Sequence, residues 1–106
     1  MSARSPVWHP FHQHGLEEDI PLVTHAEGAV LHTADGRRVI DAISSWWVTT
    51  HGHNHPAIMA AVREQTEKLD QLIFAGWTHE PAETLARALV EIMPDGLDHV
   101  FYSDSG

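Results

Sequence analysis

The spacing of apolar residues changes at Pro56, and that change limits what the chain can fold into. Between Pro21 and Ser44 apolar residues come in short runs, "LV", "AVLH" and "RVIDAI", separated by "AEG" and "ADG". A glycine after an acidic residue supplies the positive φ that tight hairpin turns require, so this stretch reads as a small antiparallel meander. Beyond Pro56 the spacing lengthens. Ile58, Val62, Leu69, Leu72 and Ile73 fall close to i, i+4, i+11, i+14 and i+15, which predicts one face of a helix. Asn54 or His55 caps it, and Pro56 suits its first turn. After the loop "FAGWT", Glu80, Pro81 and Glu83 mark a second helix start, with Leu85, Leu89, Ile92 and Met93 as its buried stripe and Pro94 and Gly96 as its end. "DHVFYSDSG" is a short β-type run that stops on a Ser-Asp-Ser-Gly turn.

The chain therefore divides into an irregular arm (1–20), which must dock on something larger to be ordered, a β-meander (21–50), two linking helices (51–97) and the start of a further domain (98–106). A terminal strand with no partner in sight points to the front part of a longer α/β protein.

Composition narrows the function classes. At 106 residues and 42% hydrophobic content the chain is of single-domain size with the make-up of a globular protein. A formal charge of -9 argues against a nucleic-acid backbone or an anionic membrane surface as the main partner. Protonation of its ten histidines softens that charge below about pH 6.5. Cysteine is absent, which excludes disulfides and thiolate metal sites. The opening "MSARSPVWHPFHQHG" lacks the apolar stretch of a signal peptide, and no apolar run approaches the roughly 18 residues of a membrane span. Cytoplasm is the expected compartment.

The stretch "DAISSWWVTTHGHNHP" carries the strongest candidates for chemistry. His51, His53 and His55 alternate, so on a strand they share a face and could hold a metal if carboxylates closed the shell. Gly52, Asn54 and Pro56 break strand geometry, which favours a turn entering a helix. Trp46 and Trp47 are consecutive, point in different directions and cannot both fill one core, so either the pair is structural or one ring forms a ligand wall.

Together "VWHPFHQ", "DGRRVIDAISSWWV", "HGHNHPAI", "FAGWTHEPA" and "VFYSDSG" resemble the N-terminal quarter of the 8-amino-7-oxononanoate aminotransferases of biotin synthesis, from about Val7 to Gly106. The "SSWW" pair distinguishes them from other class III pyridoxal-phosphate aminotransferases, which share the "HP" helix entry and the Ser-Gly turn. The resemblance implies an α/β chain, the N-terminal part of a fold-type I pyridoxal-phosphate-dependent transferase: small-domain meander, two linking helices and the first strand of the large domain. It implies a homodimer when full length, and transfer of an amino group from S-adenosylmethionine to 8-amino-7-oxononanoate to give 7,8-diaminononanoate.

Residue by residue, the resemblance makes Gly106 a cofactor-binding residue, part of a Gly-Ser turn that holds the phosphate of pyridoxal phosphate at a helix N-terminus. Ser103 and Ser105 are equally well read as turn hydroxyls. Trp46 matches a substrate-binding tryptophan, suited to the apolar chain of the oxononanoate, with Trp47 buttressing it or facing the core. Phe11, also assigned to substrate binding, stands where well-studied members have a tyrosine; it keeps the ring, loses a donor, and leaves open whether S-adenosylmethionine or lysine is the amino donor. His12 is a candidate replacement donor, although adjacent residues seldom point the same way.

No catalytic residue is expected in this stretch. Transamination needs a Schiff-base lysine and an acid for the pyridinium nitrogen. The only lysine, Lys68, sits four residues after Glu64 in the order of a solvated helix pair. The alternatives are a histidine-based metal-binding domain and a non-catalytic short chain that pairs with a larger aminotransferase subunit.

Overall fold

The computed structural model describes residues 5–13, 15–16 and 19–104. The chain forms two compact units, Met1–Met59 and Ala60–Gly106.

The first unit is built on a three-stranded antiparallel sheet, β1 (Val23–Glu27), β2 (Val30–Thr33) and β3 (Arg38–Ile40), in the order β1-β2-β3. Glu27 pairs with Val30, so the first hairpin has a two-residue loop in which Gly28 takes φ +57. Gly36, with φ +86, closes the second hairpin. That turn is tied at Thr33, whose amide donates to the Arg37 carbonyl (3.0 Å), while its hydroxyl bonds Asp35 and accepts from the Arg37 amide (3.1 Å). A β-bulge between Val23 and His25 shifts the register so that His25 faces His32, and their rings stack 4.1 Å apart.

After β3 comes α1 (Ser44–Trp47), a single helical turn of the wrong hand. Ser44, Ser45, Trp46 and Trp47 have φ of +50, +46, +65 and +67. L-residues visit this region singly at a cost of about 1–2 kcal/mol each, so four in succession need outside support. The turn keeps its own bonds, with the Trp47 amide donating to the Ile43 carbonyl (3.0 Å) and the Thr49 amide to the Ser44 carbonyl (3.0 Å).

Helix α2 (Pro56–Thr66) begins where the sequence placed it. The His55 carbonyl accepts from the Met59 amide (2.9 Å), while the Asn54 side chain turns away and donates to the Ala26 carbonyl (2.6 Å). The helix is shorter than its apolar spacing predicted: Leu69, Leu72 and Ile73 lie beyond its end. The Lys68 and Leu69 amides both close on the Gln65 carbonyl (3.0 Å each), the Gln65 side chain donates to the Leu69 carbonyl (2.9 Å), and the Thr66 hydroxyl takes the Arg63 carbonyl (2.8 Å). These bonds satisfy the end carbonyls locally and stop the helix.

In the second unit α3 (Glu80–Val90) starts on a side-chain cap, His79 Nδ1 accepting from the Ala82 amide (3.2 Å), and the Thr78 hydroxyl donates to Glu83 (2.6 Å). Tyr102 donates its hydroxyl to the Ala82 carbonyl (2.6 Å), and Phe74 lies against His79 and Tyr102.

Two expectations are corrected. Residues 98–104 form no strand, because a strand exists only in a ladder and no neighbour pairs with them among the described residues. The stripe expected of the second helix is not buried: on α3 Leu85 is exposed and Leu89 half-buried, while Ile92 and Met93 lie beyond the helix end and are exposed. Among the described residues no apolar side chain is fully buried, and Thr33 is the buried residue. An amphipathic face is covered only when a second layer packs on it. No described helix is long and apolar enough to cross a membrane.

Candidate substrate-facing site

Two residues that the sequence singled out separately meet in the first unit. The rings of Phe11 and Trp46 stack with centroids 5.6 Å apart and planes within 4° of parallel. Both stand on left-handed backbone, φ +60 for Phe11 and +65 for Trp46, and both are exposed, 91% and 62%. Non-glycine residues held in this region persist where their surroundings over-determine them. Trp47 is 81% exposed, so among the described residues it faces no core.

The support for the turn comes from Asp41. Its Oδ1 accepts from the Ser45 amide (2.9 Å), and its Oδ2 accepts from the Ser45 hydroxyl (2.7 Å) and lies 2.7 Å from His53 Nε2. The Ser45 amide, then its hydroxyl, then His53 lower the Asp41 carboxyl from 3.8 to about 2. A carboxylate this acidic only accepts, so the shared proton sits on His53 Nε2. His53 is fixed in turn by a bridge to the first hairpin, its amide donating to the Gly28 carbonyl (2.7 Å) and its carbonyl accepting from the Gly28 amide (3.1 Å). Gly52 makes this approach possible: a Cβ there would lie 3.1 Å from the Gly28 Cα, and its φ of +81 suits glycine.

Asp41, Ser45 and His53 were not named as site residues from sequence. A carboxylate that caps a turn ordinarily reaches the amide two or three residues on, so the spacing joins Asp41 neither to Ser45, four residues on, nor to His53. The alternating histidines separate. His53 goes to Asp41, the His51 ring bonds the Thr50 hydroxyl (2.8 Å), and the His55 ring stands edge-on to that of His51 at 6.4 Å. Among the described residues no three metal-ligating side chains converge. An open hollow of about 240 Å³, bordered by Val48, His51, Asn54, Ile58 and Met59, includes neither Trp46 nor Phe11. Gly106 lies outside the described residues.

The sequence matches the family model for class-III aminotransferases over residues 13–106. The chain belongs to the class-III aminotransferases. It is 46% identical over 106 residues to the adenosylmethionine-8-amino-7-oxononanoate aminotransferase of Synechococcus elongatus, covering all of this chain and 25% of that protein. It is 45% identical over 100 residues to the enzyme of the same name from Corynebacterium glutamicum, covering 94% and 23%. Among solved structures it is similar to adenosylmethionine-8-amino-7-oxononanoate aminotransferase from Methanocaldococcus jannaschii, with a TM-score of 0.84 and 33% identity over 92% of this chain and 23% of that one. It is also similar to taurine:2-oxoglutarate aminotransferase from Bifidobacterium kashiwanohense, solved with PLP and glutamate, with a TM-score of 0.73 and 26% identity over 82% and 19%. This class-III aminotransferase chain thus has the fold of the N-terminal part of the fold-type I transaminases and spans about a quarter of the length of the curated relatives it matches.

Proposed function

We propose that this chain is the N-terminal segment of a pyridoxal-phosphate-dependent aminotransferase that moves an amino group from S-adenosylmethionine to 8-amino-7-oxononanoate, giving 7,8-diaminononanoate. The observation that carries the reading is the likeness to the Synechococcus relative, which runs the full length of the chain.

The described residues do not by themselves fit the cofactor. Lys68 donates to Glu64 Oε1 at 2.7 Å, on an exposed surface, in an i, i+4 ion pair. That is the pairing of an ordinary solvated surface lysine. Pyridoxal phosphate, when bound, supplies the electron-accepting ring through which amino groups are exchanged. On this reading the Schiff-base lysine and the acid facing the pyridinium nitrogen belong to the rest of the enzyme, and Gly106 contributes to the phosphate turn.

What this chain contributes is substrate recognition. Trp46 and Phe11 form a flat, exposed aromatic surface, and an apolar acyl chain gains most from a rigid wall that gives up little conformational freedom on binding. Phe11 provides area without a hydroxyl, so recognition of the polar ends falls to other groups. The complete enzyme is a cytoplasmic homodimer.

The test is to incubate the purified enzyme that contains this segment, loaded with pyridoxal phosphate, with 8-amino-7-oxononanoate and either S-adenosylmethionine or lysine. Mass spectrometry should find 7,8-diaminononanoate with S-adenosylmethionine. Product with lysine alone would replace the donor, and product with neither would overturn the reading.

A further inference from the structure

Three separate pieces of the first unit meet at the Asp41 carboxylate. Asp41 follows β3, and its amide is anchored on the Ala29 carbonyl (2.8 Å). Ser45, which it grips through both amide and hydroxyl, lies within the left-handed turn. His53, its third partner, belongs to the segment bridged to Gly28. The Asp41 side chain is 6% exposed and that of His53 19%, so in a unit whose apolar residues lie open this carboxylate is among the best-covered groups.

A serine, a histidine and an aspartate in contact invite comparison with a nucleophilic relay, but the geometry rules that out. A relay needs the imidazole between hydroxyl and carboxylate, one ring nitrogen facing each. Here the same nitrogen, His53 Nε2, faces Asp41 Oδ2 at 2.7 Å and Ser45 Oγ at 3.5 Å. The hydroxyl donates its hydrogen bond to the carboxylate at 2.7 Å and not to the imidazole, so the histidine is not placed to act as its base.

What the cluster does hold is backbone. Ser45 immediately precedes Trp46, and its amide and hydroxyl are both fixed on one carboxylate, which sets the orientation of the peptide leading into Trp46. We infer that Asp41 and His53 are positioning residues: Asp41 locks Ser45 in the left-handed turn, His53 locks Asp41 against the first hairpin, and the Trp46 ring is thereby held parallel to Phe11 and open to the substrate's apolar chain. The inference rests on the proposed role of Trp46 as a substrate wall.

The test uses the complete holoenzyme with Asp41→Ala, His53→Ala, His53→Gln and Trp46→Ala, alone and combined. Asp41→Ala and His53→Ala should each raise KM for the keto substrate, Asp41→Ala by about 10-fold or more, because a small misplacement of a positioning group costs up to about 100-fold. Cofactor absorbance and kcat should change much less. His53→Gln keeps a side-chain donor for Asp41 and should recover most of the loss. Near-UV circular dichroism of Asp41→Ala should shift in the same bands as that of Trp46→Ala. In the Trp46→Ala background Asp41→Ala should add nothing to KM, since both act through one ring.

If Trp46→Ala raises KM and a folded Asp41→Ala does not, the positioning inference is wrong while the wall stands. An unchanged KM in Trp46→Ala removes the wall itself and the inference with it. Should Asp41→Ala fail to accumulate, Asp41→Asn and His53→Ala are read in the same way; a lowered melting temperature with KM unaltered in both would show a merely structural cluster.

Discussion

Phe11 and Trp46 stack face to face although each sits on backbone that L-residues seldom adopt, one in the N-terminal arm and the other in a left-handed turn after the sheet. Such a pairing commits two unfavourable backbone conformations to one exposed aromatic surface. That surface is the basis of the first two predictions, which concern the complete enzyme.

Trp46→Ala should lower kcat/KM for 8-amino-7-oxononanoate by roughly 30-fold to 1000-fold, as expected for losing an aromatic contact of about 2–4 kcal/mol at a binding hot spot. Cofactor affinity should change far less. Steady-state kinetics and a cofactor titration on the same variant check this; a stable variant with unaltered kcat/KM would refute the wall.

Phe11→Tyr adds a hydroxyl to the ring that stacks on Trp46. If that hydroxyl reaches a substrate, one ordinary hydrogen bond of about 0.5–1.5 kcal/mol should raise kcat/KM with S-adenosylmethionine by about 2- to 13-fold. Phe11→Ala should instead shift tryptophan fluorescence, since it uncovers one face of Trp46. An unshifted spectrum would mean that the stack does not persist in solution.

Lys68→Met removes the only lysine of this segment. The Glu64 carboxyl is lowered and the Lys68 ammonium raised, each chiefly by their mutual hydrogen bond, as in an exposed ion pair. Activity and cofactor absorbance should stay within about twofold of the parent, the ordinary outcome of a surface change. Loss of the cofactor band would place the Schiff-base lysine in this segment and contradict the proposed function.

The Asp41 carboxyl is lowered from 3.8 to about 2, led by the Ser45 amide. A carboxylate whose folded pKa is depressed contributes stability that is fully present above its unfolded value and is lost as pH falls through the folded value. The gap in urea stability between parent and Asp41→Asn should therefore be constant above about pH 5 and narrow from about pH 4 toward pH 2. A gap that does not change with pH would mean that charge is not what Asp41 contributes.

Ser44 opens the left-handed turn with φ +50. Glycine removes the left-handed penalty of about 1–2 kcal/mol and adds about 0.5–1 kcal/mol of unfolded-state entropy. Ser44→Gly should thus stabilise by up to about 1.5 kcal/mol, and Ser44→Val should destabilise. Denaturant midpoints of the two variants give the comparison, and the reverse order would exclude the left-handed conformation.

The sequence by itself determined those features that depend on neighbours along the chain. Gly28 and Gly36 after acidic residues dictated two hairpins, because glycine adopts positive φ without steric cost. Pro56 and the Glu80, Pro81 and Glu83 group dictated where two helices begin. Trp46 and Phe11 were legible as separate candidates through the family's motifs. Tertiary structure alone decided the rest. No residue of "SSWW" prefers left-handed backbone, so the turn exists because Asp41, Ser45 and His53 are brought together by the bridge between Gly28 and His53. The end of α2 was set by the Lys68 and Leu69 amides closing on the Gln65 carbonyl and by the Thr66 hydroxyl donating to the Arg63 carbonyl, which apolar spacing does not encode. The faces of the helices and the run at residues 98–104 were written for partners: an apolar stripe is buried only by a second layer, and a strand forms only against another strand.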